Sequence, residues 1–222
     1  MNKVVAFSLW GSHPAYYVGA IENAKLIGKK YYIGWSSWFY VGNDAPKHFV
    51  EELSSVADRL IFVNHNKFAL AFERFSPIFG DDVEVSVSRD ADSRVSDKEY
   101  QAVLEWEKTN KPFHAMRDHK LHHFPIMAGM WGVKKGADDF VMQELMREYL
   151  DRSDKFKTDQ MYLRSFYERY KDLFYEHDEI GRYAGNKFPA HKSFDVGSYI
   201  GQRIDQDNCP ASDMEGFSGE GY

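Results

Sequence analysis

Apolar and polar positions follow two periods along the first half of the chain. Val4, Val5, Ala6 and Phe7 form a short apolar run closed by Gly11 and Pro14, the pattern of a buried strand entering a loop. From 16 to 28 the period lengthens, with Ala20, Ile21, Ala24 and Ile27 on one face and Gly28 at the end, which predicts a helix. Tyr31 to Val41 is β-rich and predicts a second strand. Pro46 opens a second amphipathic helix carrying Phe49, Val50, Leu53 and Val56. Arg59 to Val63 predicts a third strand and Phe68 to Phe75 a helix. Val83 to Val87 predicts a fourth strand, which runs straight into SRDADSR. Ser96 and Glu99 form a capping box that opens a helix reaching Asn110. A strand is expected at Phe113 to Met116, and periodicity predicts helices over 137–151 and 158–174.

Strands that alternate with helices argue for an α/β fold with a mostly parallel central sheet flanked by helices. A single domain is expected over 1–205. The polar, glycine-rich 206–222 reads as a tail or linker, after which a further domain can follow in the natural protein. Ligands of such sheets bind at the carboxyl ends of strands, so the loops after the first and fourth strands are the expected site.

Composition narrows the partners. The 222 residues suit one domain, and 28 basic against 34 acidic residues give a net charge of -6. That balance gives no electrostatic reason to expect nucleic acid. An acidic protein that binds a polyphosphate needs a local device, such as a metal or a few placed arginines. Cys209 is the one cysteine, so no intrachain disulfide forms, which fits a reducing compartment. The start, MNKVVAFSLWG, lacks the apolar run of a signal peptide, and no stretch approaches the ~20 apolar residues of a membrane span. A cytoplasmic protein, or a piece of a larger one, is the expectation.

Asp90 and Asp92 carry the candidate chemistry. In an extended stretch, residues two apart point the same way, so both carboxylates converge and repel unless a cation sits between them. Hard oxygen ligands suit Mg²⁺ or Mn²⁺, and such an ion bridges a diphosphate. The competing reading is a solvated turn with two surface aspartates.

FSLWG near the start, SRDADSR, FHAMRDHKLHHFPIMAGMWGVKK and KTDQMYL together resemble GT-A-type nucleotide-sugar glycosyltransferase domains, especially those encoded by chlorella viruses. More distantly, the order resembles retaining enzymes of the glycogenin and galactosyltransferase type, over roughly 4 to 200. The resemblance implies a Rossmann-like GT-A domain that moves a sugar from a nucleoside diphosphate sugar, with a UDP-sugar expected, to a glycan or other hydroxyl acceptor with retention. For a viral chain, it implies action in the host cytoplasm. It further implies that Asp90 and Asp92 bind the metal, that His191 completes the metal site, and that Arg74 lies near the donor. Ala91 and the Ala128-Gly129 turn then contact the donor, and Asp159-Gln160 lies at the sugar's reacting face. Two departures stand out. Met127 replaces the usual Asn before Ala-Gly, and no Lys-Pro-Trp follows His191.

Other residues carry two readings each. Ser8, Leu9 and Gly11 offer backbone groups to a base, and Tyr16 either stacks on it or packs under the first helix. Asp118 either serves the sugar, as hydrogen-bond acceptor or base, or pairs with Arg117 or Lys120. His119, His122 and His123 lack the cysteines and the spacing of a zinc site. Two other functions compete: a metal-dependent nucleotidyltransferase or phosphohydrolase, and a non-catalytic nucleotide-sugar-binding module.

Overall fold

A computed structural model describes residues 1–64, 67–141, 143–144, 158–183 and 185–211. Seven strands form one sheet: β1 (Asn2–Leu9), β2 (Ser36–Gly42), β3 (Arg59–Val63), β4 (Val83–Arg89), β5 (Phe113–Arg117), β6 (Met130–Lys134) and β7 (Phe174–Asp178). Their order is β3-β2-β1-β4-β6-β5-β7. Every pairing is parallel except those of β6, which runs antiparallel to both β4 and β5.

β1 is covered on both faces, which is why its sequence is a continuous apolar run. Val5, Phe7 and Leu9 point into one core, with α1 (Pro14–Leu26), α2 (Lys47–Ser54) and α4 (Asp97–Glu107). Val4 and Ala6 point into the other, with α3 (Lys67–Glu73) and α5 (Thr158–Tyr170). Side chains two apart share a face, so one strand feeds both layers.

The local signals place the helix starts. Pro14 opens α1, and His13 caps it through Nδ1, which accepts from the Ala15 N–H at 3.3 Å. Ser96 caps α4, its hydroxyl accepting from the Glu99 N–H. The expected strand at Tyr31 begins only at Ser36, because Tyr32 and Gly34 take positive φ (52° and 82°) in an intervening turn. The expected helix over 158–174 stops at Tyr170, and Phe174 starts β7 instead. Within 137–151, residues 138–141 are helical, and most of the rest lies outside the described residues.

β6 is a strand that the apolar pattern does not predict. Gly132 lies inside the strand because a Cβ there would meet the Trp106 ring at 2.8 Å, so the missing side chain lets α4 close on the sheet. Residues 206–211 fold back, with the Asp205 N–H donating to Cys209 O and the Ala211 N–H to Arg203 O, each at 2.9 Å. Residues 212–222 lie outside the described residues.

Strand order reverses beside β1: the chain builds outward through β2 and β3, then returns to lay β4 on β1's other side. The loops leaving β1 and β4 therefore face each other across a crevice at the strands' carboxyl ends.

Candidate active site

The loop after β4 is not a solvated turn. Arg89, only 1% exposed, donates to Gly129 O at 2.8 Å and Ser93 Oγ at 3.1 Å, and pairs with Glu99 at 2.9 Å. It thereby ties the acidic loop to the start of α4 and to the turn before β6. Glu99 is fully enclosed, and burial raises its pKa to about 7 against the pull of Arg89. α1 holds the other side. Gly19 lets the helix press on the Ala91 carbonyl, where a Cβ would collide. One turn on, Asn23 donates to Ser93 O at 2.8 Å and accepts from the Val95 N–H at 2.9 Å. Residues four apart share a helix face, so both act on one loop. Ala91 is thus packed under α1.

The two aspartates differ. The Asp90 side chain is 44% exposed, whereas that of Asp92 is 9% exposed. Burial, and then the charge of Asp90, push the Asp92 carboxyl up to about 6, while Arg203 opposes the rise. Arg74, itself buried, bridges Asp90 and Asp159, the latter at 2.8 Å. Burial also raises the Asp159 pKa, Arg74 lowers it, and Asp90 adds to the rise. Arg203 Nε meets Asp92 at 3.2 Å. The result is a charge cluster in which Arg74 bridges Asp159 and Asp90, Arg203 pairs with Asp92, and the two like charges of Asp90 and Asp92 repel across the middle.

Gly129 sits against this chain, and a Cβ there would strike the Asp90 carboxylate and come within 2.8 Å of the Asp90 nitrogen. Gln160 fixes the strand's approach: its Oε1 accepts from the Ala128 N–H at 3.1 Å and its Nε2 donates to Ile126 O. Both ends of its amide therefore hold backbone. This departs from the expected place at a reacting face, and makes Gln160 the support of the 126–129 turn.

A cavity of about 440 Å³ opens beside the cluster, lined by Ser8, Trp10, Gly11, Ser12, His13, Pro14 and Tyr16. Ser8 joins the two, since its hydroxyl accepts from the Arg74 N–H at 3.2 Å. Asp44 and Tyr17 fix the loop by bonding Gly11 N–H at 3.0 Å and Gly11 O at 2.9 Å. Leu9 does not line the cavity, because its side chain is in the core. Trp10 lines it and was missed by sequence reasoning; its place after the first strand was the available signal.

Two expected residues lie elsewhere. His191 is exposed, its Nδ1 paired with Pro189 O at 2.8 Å, and the next residue is tied to α4 by the Lys192 N–H to Asp97 bond at 2.7 Å. Among the described residues, no three His, Cys, Asp or Glu side chains gather as a metal-binding group, so His191 does not complete a set with Asp90 and Asp92 here. Asp118 forms a separate buried pair with Lys98 at 3.3 Å and accepts from the Ile200 N–H at 3.1 Å. Its enclosed carboxylate is therefore held by the 199–201 segment, not presented to an acceptor.

His119 and His122 are structural. His119 stacks on Tyr199, with ring centres 3.8 Å apart. His122 Nδ1 accepts from the backbone N–H groups of Asp118 and His119 at 3.1 and 3.2 Å, so the ring is neutral, and burial holds its pKa down at about 3. Asp118 lies 3.6 Å from the same nitrogen, but an accepting nitrogen makes no ion pair. In the unfolded chain this ring protonates near its usual ~6.5. Its contribution is thus present above that pH and is lost as pH falls toward the folded value. His122→Asn keeps an acceptor near the Nδ1 position and cannot titrate. Between pH 6.5 and 4.5, wild type is expected to lose about 2–3 kcal/mol relative to this variant, read from denaturant melts at each pH.

No protein-family model matches the chain, and no curated protein matches it in sequence. Solved structures do. A glycosyltransferase involved in glycosylation of the major capsid of PBCV-1 superposes with a TM-score of 0.54 at 13% identity, covering 80% of this chain and 82% of that one. The glycosyltransferase GlyE of Streptococcus pneumoniae gives 0.50 at 15% identity, over 83% of this chain and 46% of its own. The 4-diphosphocytidyl-2C-methyl-D-erythritol synthase of Anaerococcus prevotii gives 0.53 at 10% identity, over 80% and 86%. The fold is the Rossmann-like GT-A fold that these glycosyltransferases share. Among the described residues, no helix is long and apolar enough to cross a membrane.

Proposed function

We infer that the chain is a metal-dependent glycosyltransferase that moves a sugar from a nucleoside diphosphate sugar, with a UDP-sugar as the preferred donor, to a hydroxyl acceptor. One observation carries this reading. The paired charges of Asp159, Arg74, Asp90, Asp92 and Arg203 lie beside a 440 Å³ cavity at the fold's switch point.

The donor set fits a hard divalent cation such as Mn²⁺ or Mg²⁺. Arg74 takes one oxygen of Asp90 and Arg203 one oxygen of Asp92, which leaves each carboxylate a second oxygen. Burial first, and the charge of Asp90 second, disfavour the ionised Asp92, and a cation bound there would offset both. When bound, the ion supplies charge neutralisation for a departing nucleoside diphosphate.

The chain's own residues do the rest. Trp10 and Tyr16 offer aromatic faces to the nucleobase in the cavity. Arg203 matches a phosphate in charge and geometry, and its Nε already reaches Asp92. Arg74 positions Asp90 and Asp159 together. Gly129 and Ala128 bring bare backbone to the sugar, supported by Gln160. Asp159, held by Arg74, supplies a carboxylate that would stabilise positive charge at the reacting sugar. Retention of configuration rests on the resemblance of the motifs, and NMR of the product anomer decides it.

Lysine cannot bridge two carboxylates as a guanidinium does. Arg74→Lys is expected to raise the donor KM about tenfold with a folded protein, the loss of one charge-assisted contact. An unchanged donor saturation curve would remove Arg74 from the site.

A metal-dependent nucleotidyltransferase is the second reading, favoured by the likeness to the synthase whose product name carries a diphosphocytidyl group. A thermal-shift screen separates the two, because a ligand bound only by the folded state raises the melting temperature. UDP-glucose, UDP-galactose, GDP-mannose, CTP and ATP are each added with and without Mn²⁺. Stabilisation by a nucleotide sugar only with Mn²⁺ is expected. Stabilisation by the triphosphates alone supports the second reading, and no stabilisation by any of them overturns both.

A further inference from the structure

We propose that a groove beside the outer end of α5 binds one sugar ring of an extended glycan acceptor. Its use for an acceptor rests on the glycosyltransferase reading, while its affinity for carbohydrate does not. The groove has a volume of about 210 Å³ and is lined by His123, Phe124, Pro125, Arg164, Tyr167, Glu168 and Tyr183. That is below the ~300–1,000 Å³ of pockets for drug-sized ligands, and suits a single ring.

The chemistry is that of a carbohydrate site. A sugar presents an apolar C–H face and a rim of hydroxyls, so it needs an aromatic surface beside donors and acceptors with fixed geometry. Tyr167 and Tyr183 meet edge to face, with ring centres 6.1 Å apart. Each is held in place. The Tyr183 hydroxyl donates to His123 O at 2.8 Å, and the Tyr167 hydroxyl to Glu176 at 2.9 Å. The guanidinium of buried Arg117 lies over the Tyr183 ring at 4.6 Å and also bonds Pro125 O and Glu176. Arg182 approaches His123 Nδ1 at 2.8 Å. A guanidinium only donates, so Nδ1 accepts and Nε2 carries the ring's proton. The groove thus offers an imidazole N–H and the Arg164 fork as donors and the Glu168 carboxylate as acceptor.

Two elements tie the groove to the donor site. The segment 123–129 lines it at one end and carries Ala128 and Gly129 to Asp90 at the other. α5 carries Asp159 and Gln160 near its start, then Arg164, Tyr167 and Glu168 further on. At 1.5 Å per residue, Arg164 and Glu168 lie about 6 and 12 Å beyond Gln160 along the axis. That is the reach of a short oligosaccharide whose reacting end is at the cluster.

The test uses the full chain with ¹³C-ring-labelled tyrosine, titrated with the methyl α- and β-glycosides of glucose, galactose, mannose, rhamnose, fucose and xylose. At least one glycoside is expected to shift the Tyr167 and Tyr183 ring signals without nucleotide present. Arg164→Ala and Glu168→Ala change exposed side chains, so the fold persists, and each is expected to weaken that binding about tenfold. If no glycoside moves these signals, or if binding survives both substitutions, the proposal is overturned. UDP with Mn²⁺ is titrated in parallel. Glycoside binding without nucleotide binding keeps the groove and removes the glycosyltransferase reading, and nucleotide binding without glycoside binding does the reverse.

Discussion

Asp92→Asn is expected to lower donor turnover by about 10²–10³-fold while leaving the protein as stable as wild type or more so. The two effects share one cause. Asp92 is held beside Asp90 in a buried loop, and its carboxyl is raised to about 6 against an unfolded value near ~3.9. A raised carboxyl destabilises the fold as pH climbs from the unfolded value toward the folded one, and the penalty is complete above it. Asparagine removes that charge. Its Oδ1 still accepts from the Arg203 Nε, so only the charge of that partly exposed pair is lost. The stability advantage of the variant is expected to open between pH 4 and 6, read by melts, while transfer assays at pH 7.5 show the loss. A variant that melts earlier and keeps its turnover would assign Asp92 to the fold alone.

Gly129→Ala is expected to be nearly as damaging by another route. The added methyl meets the Asp90 carboxylate and backbone nitrogen, so Asp90 must leave Arg74 or β6 must shift. Overpacking of this kind costs about 1–3 kcal/mol, and displacement of a site carboxylate costs about 10²-fold in turnover. Gly132→Ala is the contrast. Its methyl meets Trp106 in the core, so it lowers the melting temperature and spares turnover per folded molecule. Equal activity loss in both variants would reduce Gly129 to a packing residue.

What the sequence revealed tracks the range of each interaction. The capping box at Ser96 and the proline at the start of α2 are local, and both are where the pattern puts them, whereas Pro14, read as part of a loop, opens α1. Asp90 and Asp92 stand out in the sequence because a strand exit sets carboxylates two apart, and Arg74 because the resemblance places a basic residue ahead of them. β6 was hidden, since two glycines in GMWGVK signal a turn unless Trp106 is known to need the space. Arg203 was invisible for the same reason: it lies 111 residues from Asp92, and no local pattern marks a long-range pair. The expectation for His191 came from motif order, and the bond from Lys192 to Asp97 leads that segment along α4 instead. Gln160 was placed on the right turn of the right helix, yet its amide holds backbone, which composition and spacing do not reveal.

Electron paramagnetic resonance of Mn²⁺ addresses the acidic pair most directly, since its signal reports the free ion. With UDP present, wild-type protein is expected to remove one equivalent of the free signal, and neither Asp90→Ala nor Asp92→Ala to remove any. Retention of the ion by both variants at wild-type affinity, or a free signal undiminished by wild-type protein with UDP, would contradict the account.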